Sequence, residues 1–265
     1  MRLEEALAWV PGYEPGLTIA QPLPSGVHNR AFRIDTREGC FVLRLQPDGR
    51  AAILGANRQR EAALHAAAAT HGLAPGVVYA DPGGQCLVTE YVAGRRWSAD
   101  DMQDPAALER LGHLLRTLHA IDPPRVAPLR IDALIRQHCR RLARAFPAER
   151  AALRRLVADC AAQLEAIGSS RRRPAIVHND LHHSNIIDGP RLVLIDWEYA
   201  GVGDPLFDLA CVLAYYPESQ KMAAMLLEWS GLAACATVAM LRTSAALFRT
   251  LSDLWARVGH LNSES

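Results

Sequence analysis

The chain has 265 residues, of which half are apolar and 22% charged; that is enough to bury a substantial core and excludes a disordered polypeptide. Its 29 basic and 28 acidic side chains leave a formal net charge of +1, without the basic excess that marks a nucleic-acid binder. Only one of the 29 is a lysine, Lys221, flanked by Gln220 and Met222, so a Walker A phosphate loop, which needs Gly-Lys-Ser/Thr, is excluded.

The first ninety-odd residues alternate strand signals with turns. A strand is expected at 17–23, and an antiparallel hairpin from 31–35 and 40–45 around Thr36-Arg37-Glu38-Gly39. Pro47 and Asp48-Gly49 end it. An alanine-rich, proline-free stretch over 51–70 predicts a helix stopped at His71-Gly72. Residues 77–80 and 86–92 predict a second strand pair around Asp81-Pro82-Gly83-Gly84. After Ala93-Gly94 the pattern changes. Leu111, Leu114, Leu115 and Leu118 follow helical spacing, so 105–121 is an amphipathic helix. Helices are expected at 131–146 and 148–167, separated by Pro147. Short strands follow at 175–177 and 191–195, and the chain is helical from 206 onward. The expected class is α+β: a β-rich lobe with one helix over 1–93, joined to a larger helical lobe over 94–265. The junction of two such units is a common place for a ligand cleft.

Six cysteines are widely spaced with no Cys-x-x-Cys pair; reduced, mostly buried thiols are expected. Met1-Arg2-Leu3-Glu4-Glu5 has no uninterrupted apolar run after its first charge, so no signal peptide is expected. The apolar stretch 223–241 is interrupted by Glu228 and Ser230-Gly231, and a spanning helix needs about 20 strongly apolar residues. No membrane insertion and a cytoplasmic location are expected. Arg171-Arg172-Arg173 reads as a solvated loop.

The densest polar cluster is His178-Asn179-Asp180-Leu181-His182-His183-Ser184-Asn185, held between the apolar runs 175–177 and 186–187. A polar loop on a rigid scaffold is well placed for chemistry. Shortly after it, Leu192-Val193-Leu194-Ile195 ends in Asp196, a carboxylate that is costly to bury without a partner. Two chemistries suit the cluster. In phosphoryl transfer, one carboxylate orients the attacking hydroxyl while an amide oxygen and a second carboxylate hold magnesium; Asp180, Asn185 and Asp196 supply these groups, with Asp180 and Asn185 five apart as in the protein-kinase catalytic loop. In metal-assisted hydrolysis, His178, Asp180, His182 and His183 would surround zinc or manganese.

The longer context resembles the aminoglycoside phosphotransferase and choline kinase superfamily, which is similar in fold to protein kinases. Val177-His178-Asn179-Asp180 through Asn185-Ile186-Ile187 looks like that family's catalytic loop. Leu194-Ile195-Asp196-Trp197-Glu198-Tyr199-Ala200-Gly201 looks like its metal-binding segment, and Gly203-Asp204-Pro205-Leu206-Phe207-Asp208 like the helix start beyond. The Ile-Asp-Trp-Glu-Tyr run resembles bacterial choline kinases and thiamine kinases in particular. In the first lobe, Ser25-Gly26-Val27-His28-Asn29-Arg30 looks like the nucleotide loop, with one glycine where protein kinases have three.

The resemblance implies ATP and Mg2+ as cofactors, and these roles. Asp180 is the catalytic base; Asn185 and Asp196 are metal ligands. Arg44 stands where most kinases carry a phosphate-binding lysine, with Glu61 as its helix partner, and a guanidinium can still grip phosphate oxygens. Ser25, Gly26 and Asn29 cover the nucleotide, and Glu90 and Val92 form the hinge that holds adenine. His178 braces the loop. Asp208 either braces it too or answers the helix dipole. The acceptor is expected to be a small cationic alcohol, choline, ethanolamine or thiamine, met by Trp197, Glu198, Tyr199, Tyr215 and Trp255. An aminoglycoside or amino sugar is the alternative acceptor. A metal-dependent hydrolase built on His178, His182 and His183 and a non-catalytic nucleotide-binding module are the alternatives of other classes.

Overall fold

The computed structural model describes residues 1–23, 30–46, 57–168 and 172–263. A short helix, α1 (Leu3–Leu7), precedes five antiparallel strands: β1 (Ile19–Leu23), β2 (Arg30–Thr36), β3 (Gly39–Leu45), β4 (Val77–Ala80) and β5 (Cys86–Glu90), in the order β1-β2-β3-β5-β4. The expected hairpin is there, with Thr36 opposite Gly39. Helix α2 (Arg58–Thr70) lies between β3 and β4; Asn57 caps it by accepting the Arg60 amide at 2.9 Å. The first part of the helix expected over 51–70 lies outside the described residues, as do Ser25, Gly26 and Asn29.

Period-two patterning gives the sheet two different faces. Phe32, Ile34, Phe41, Leu43 and Leu45 point one way and form a small core with Ala6 and Val10 around α1. On the other face, Ala31 and Leu87 stand opposite Arg44, and Thr89 stands opposite Val42. This second face is not packed on a core of its own and roofs a cavity instead.

The remainder is mainly helical. It comprises α3 (Pro105–Ala120), α4 (Ile131–Ala145), α5 (Arg150–Ala166), α6 (Leu206–Tyr215), α7 (Ala223–Trp229) and α8 (Val238–Ser263). Leu108, Leu111, Leu115 and Leu118 are fully buried along one stripe of α3, as their spacing predicts. Helix α6 is buried from Leu206 through Leu213, as suits a helix apolar on every side. Leu64 and Ala68 of α2 belong to this larger core and not to the core around α1. Five short strands complete the molecule. β6 (Arg95–Arg96), β8 (Ile186–Asp188) and β9 (Leu192–Leu194) form one sheet, and β7 (Ala175–Val177) pairs with β10 (Gly201–Gly203). The mixed α+β class and the division into a sheet-rich first part and a helical second part agree with expectation.

One local expectation needs correction. Arg172 is not in a solvated loop: it is buried, and its guanidinium grips Asp204 through Nε at 2.8 Å and Nη2 at 2.6 Å. Asp204 also accepts the Leu206 amide at the start of α6. The cysteines are free and mostly buried, as expected: four are buried, and Cys40 and Cys235 are exposed. No described helix is long and apolar enough to cross a membrane.

Candidate active site

The polar loop runs from the end of β7 to the start of β8, and its shape is set from below by one carboxylate. Asp208, fully buried on α6, accepts the backbone amides of His178 and Asn179 at 3.0 and 2.8 Å and the His119 ring at 2.9 Å. Three donors on one buried carboxylate offset its desolvation. The helix-dipole explanation of Asp208 is therefore unnecessary. His178 donates Nε2–H to the carbonyl of Ile195 at 3.0 Å, and the Ile195 amide donates to the carbonyl of Asn185 at 2.9 Å. These bonds tie the loop to the segment carrying Asp196. Asn179 and Asp196, with φ of 61° and 63°, are the non-glycine residues of positive φ among the described residues. Left-handed backbone costs on the order of 1 kcal/mol, and both instances fall in the two segments the motifs singled out.

Asp180 stands at the centre. Its Oδ2 accepts the Asn185 amide at 2.9 Å and its Oδ1 accepts the Tyr215 hydroxyl at 3.0 Å. Burial pushes its carboxyl above the usual carboxylate range, reinforced by the nearby Asp196 charge. Asn185 also donates Nδ2 to the Asp180 carbonyl, so its amide oxygen is turned away from these two bonds.

Charge gathers on the sheet side. Arg44 pairs with Glu61 of α2 and, through Nη1 at 2.8 Å, with Asp196. Arg58, one turn before Glu61, holds Glu61 at 2.8 Å and Glu198 at 3.3 Å. Arg60 donates to the carbonyl of Ala200 at 2.9 Å. Arg58 and Arg60 were not singled out by the motifs; the i, i+3 spacing of Arg58 and Glu61 was the available signal. Burial pushes His65 down to about 4, so it is neutral at pH 7 and donates Nε2–H to the carbonyl of Pro75 at 2.9 Å.

One cavity of about 1000 Å³ takes in Arg44, Asp180, Asn185 and Asp196. At one end Val42 lies with Thr89, Glu90, Tyr91 and Val92, the last four being the expected hinge; at the other lie Leu134, His138, Tyr199, Tyr215, Phe248 and Trp255. Of the expected acceptor residues, Glu198, Tyr199, Tyr215 and Trp255 line the cavity. Trp197 does not: it is fully buried, donates its indole N–H to the Leu194 carbonyl at 3.0 Å, and packs against His65 and His178. It is a core residue, because the chain turns at Asp196 and sends the next side chain inward. The three histidines of the hydrolase alternative have separate engagements. His178 is spent on Ile195, His183 on the Tyr216 hydroxyl at 2.7 Å, and His182 on Ser184 at 3.0 Å. They do not form a metal site, and no cluster of three or more His, Cys, Asp or Glu suited to a metal occurs among the described residues.

The model of the phosphotransferase enzyme family matches residues 19–241. Protein LicA of Haemophilus influenzae is 46% identical over 52 residues, a stretch that spans 19% of this chain and 20% of the relative. A choline/ethanolamine kinase family protein from Mesorhizobium loti superposes with a TM-score of 0.74 at 24% identity, over 99% of this chain and 86% of that one. An aminoglycoside-3'-phosphotransferase of type VIII gives 0.64 at 23% identity, over 95% and 98%. At these identities the two solved structures speak to the fold, which is the kinase-like one that the motifs implied.

Proposed function

Because the chain belongs to the phosphotransferase enzyme family, we propose that it moves the γ-phosphoryl group of ATP to the hydroxyl of a small cationic alcohol of the choline and ethanolamine type. The observation that carries this reading is the single cavity that takes in Asp180, Asn185, Asp196 and Arg44 between the hinge strand and an aromatic wall. Residues 1–93 serve the nucleotide, and 94–265 supply the catalytic groups and the acceptor site.

In the reaction, the acceptor oxygen forms a bond to the γ-phosphorus as the bond from that phosphorus to the β,γ-bridging oxygen breaks. ADP leaves, and the hydroxyl proton passes to the Asp180 carboxylate. Little covalent chemistry is asked of the protein, so alignment and charge neutralisation dominate. Arg44 receives phosphate oxygens, and Glu61 fixes its fork. Glu90 and Val92 border the adenine; Ser25, Gly26 and Asn29, expected to serve the phosphates, lie outside the described residues. His178 and Asp208 hold the Asp180 loop in shape.

The donor chemistry around Asp180 suits magnesium. Asn185 spends its amide nitrogen on Asp180, which leaves its oxygen as a hard ligand, and Asp196 bonds Arg44 through Oδ1, leaving Oδ2. When bound, Mg2+ supplies neutralisation of phosphate charge.

The acceptor wall is aromatic, with Tyr199, Tyr215, Phe248 and Trp255, and the Asp253 carboxylate stands on the same side of the cavity. Aromatic faces and a carboxylate favour a cation. The relative's choline/ethanolamine description agrees with that chemistry. Thiamine meets the same description, and an amino sugar is the second reading, favoured by the cavity's size. ATP consumption measured with choline, ethanolamine, thiamine, amino sugars and aminoglycosides tests the reading. Turnover with a cationic amino alcohol is expected; turnover with none of these compounds would refute it.

A further inference from the structure

At the acceptor end, helices α4 and α8 meet. Ile131, Leu134 and His138 line the cavity from α4 at helical spacing, and Phe248, Leu251 and Trp255 line it from α8. Five of these six are apolar or aromatic. His138 is the exception. It is 1% exposed, and among the described residues nothing hydrogen-bonds to either ring nitrogen. A buried polar group without a partner is unusual and costly. Mere structural packing would be served by leucine at this position.

We propose that His138 is a specificity-determining residue that accepts a hydrogen bond from an N–H of the acceptor's ammonium group, so that the preferred substrate is a primary, secondary or tertiary amino alcohol and not a quaternary one. This rests on the amino-alcohol reading above and sharpens it. Burial holds the imidazole below its usual range, with Arg141 acting in the same direction, so the ring is neutral at pH 7 and presents one lone pair. An alkylammonium ion keeps its own proton and donates to that lone pair. A trimethylammonium ion has no N–H, and leaves the imidazole as unpartnered as before. The two nitrogens are shielded from water in the free protein. The contact therefore forms with a side-chain shift of the size common on ligand binding, at a place where Leu134 and Leu251 are only half-buried.

The test is a graded series: ethanolamine, its N-methyl and N,N-dimethyl derivatives, and choline, as acceptors for the wild type, His138→Leu and His138→Gln. In the wild type, kcat/KM should fall by about tenfold at the last methylation, the step that removes the final N–H. His138→Leu should flatten that step to within about twofold while KM for ATP stays unchanged, and His138→Gln, which still offers an acceptor oxygen, should keep most of it. An equal step in the wild type and the leucine variant would overturn the role of His138 and leave the amino-alcohol reading standing. Absence of phosphorylation across the whole series would overturn both.

Discussion

The two ends of the cavity are built on opposite electrostatic principles. On the sheet side, charged groups alternate. Arg44 lies between Glu61 and Asp196, and Arg58 lies between Glu61 and Glu198, so two cations and three carboxylates hold one another before any ligand arrives. On the helical side, among the described residues, the Asp180 carboxylate is hydrogen-bonded by an amide and a phenol, with aromatic and aliphatic walls beyond them. The first arrangement suits phosphates, whose charge is best met by donors already fixed in place. The second suits proton removal, because a carboxylate stripped of water is a stronger base.

The largest effect should come from breaking the centre of that contrast. Asp180→Asn keeps the shape and most of the hydrogen bonding but cannot take a proton. A loss of about a thousandfold in kcat is expected, with ATP affinity by calorimetry unchanged. Near-normal turnover would remove Asp180 from the chemistry. Arg44→Ala should come next. It removes the proposed phosphate contact and leaves Glu61 with Arg58 among the described residues, so ATP-dependent kcat/KM should fall by about a hundredfold while the acceptor's KM changes little. Glu61→Gln keeps Arg44 but frees its guanidinium fork. About a tenfold loss is expected, expressed mainly in KM for ATP. Equal losses for Glu61→Gln and Arg44→Ala would mean that Glu61 does more than orient its partner.

The same contrast explains what could be read from the residues alone. That Asp180, Asn185 and Asp196 share one cavity was legible because the spacings of phosphoryl-transfer loops place such groups together. The strands and helices around them were legible because periodicity of two and 3.6 is local. What lay out of reach depends on distant packing. The pairing of Arg58 with Glu61 is local, but its second partner, Glu198, arrives 140 residues later, and Trp197 looked like an acceptor residue because sequence cannot tell that the left-handed turn at Asp196 sends it into the core. His138 sits in an arginine-rich helix with no motif around it, and only its burial and the lack of a partner set it apart. Arg172, read as solvated, is buried because Asp204 meets it across a gap of 32 residues.

The smallest effect is also the most specific. The Tyr215 hydroxyl donates to Asp180 Oδ1 at 3.0 Å, in the manner expected of the acceptor hydroxyl itself. It therefore stabilises the ionised carboxylate and, in the proposed mechanism, would compete with substrate for the same oxygen. With Asp180 in the proposed role, activity requires the carboxylate, whose protonation is raised by burial, so kcat/KM should fall as pH drops through a value above the ordinary aspartate range. Tyr215→Phe removes a bond that favours ionisation, so the acid limb should move further up. Well above the limb, however, the competitor is gone, and the acceptor's KM should drop by about threefold. The wild-type and variant profiles should thus cross, with the variant better at high pH and worse at low pH. Parallel profiles with no crossing would show that the phenol supports the loop without ever sharing the oxygen with substrate.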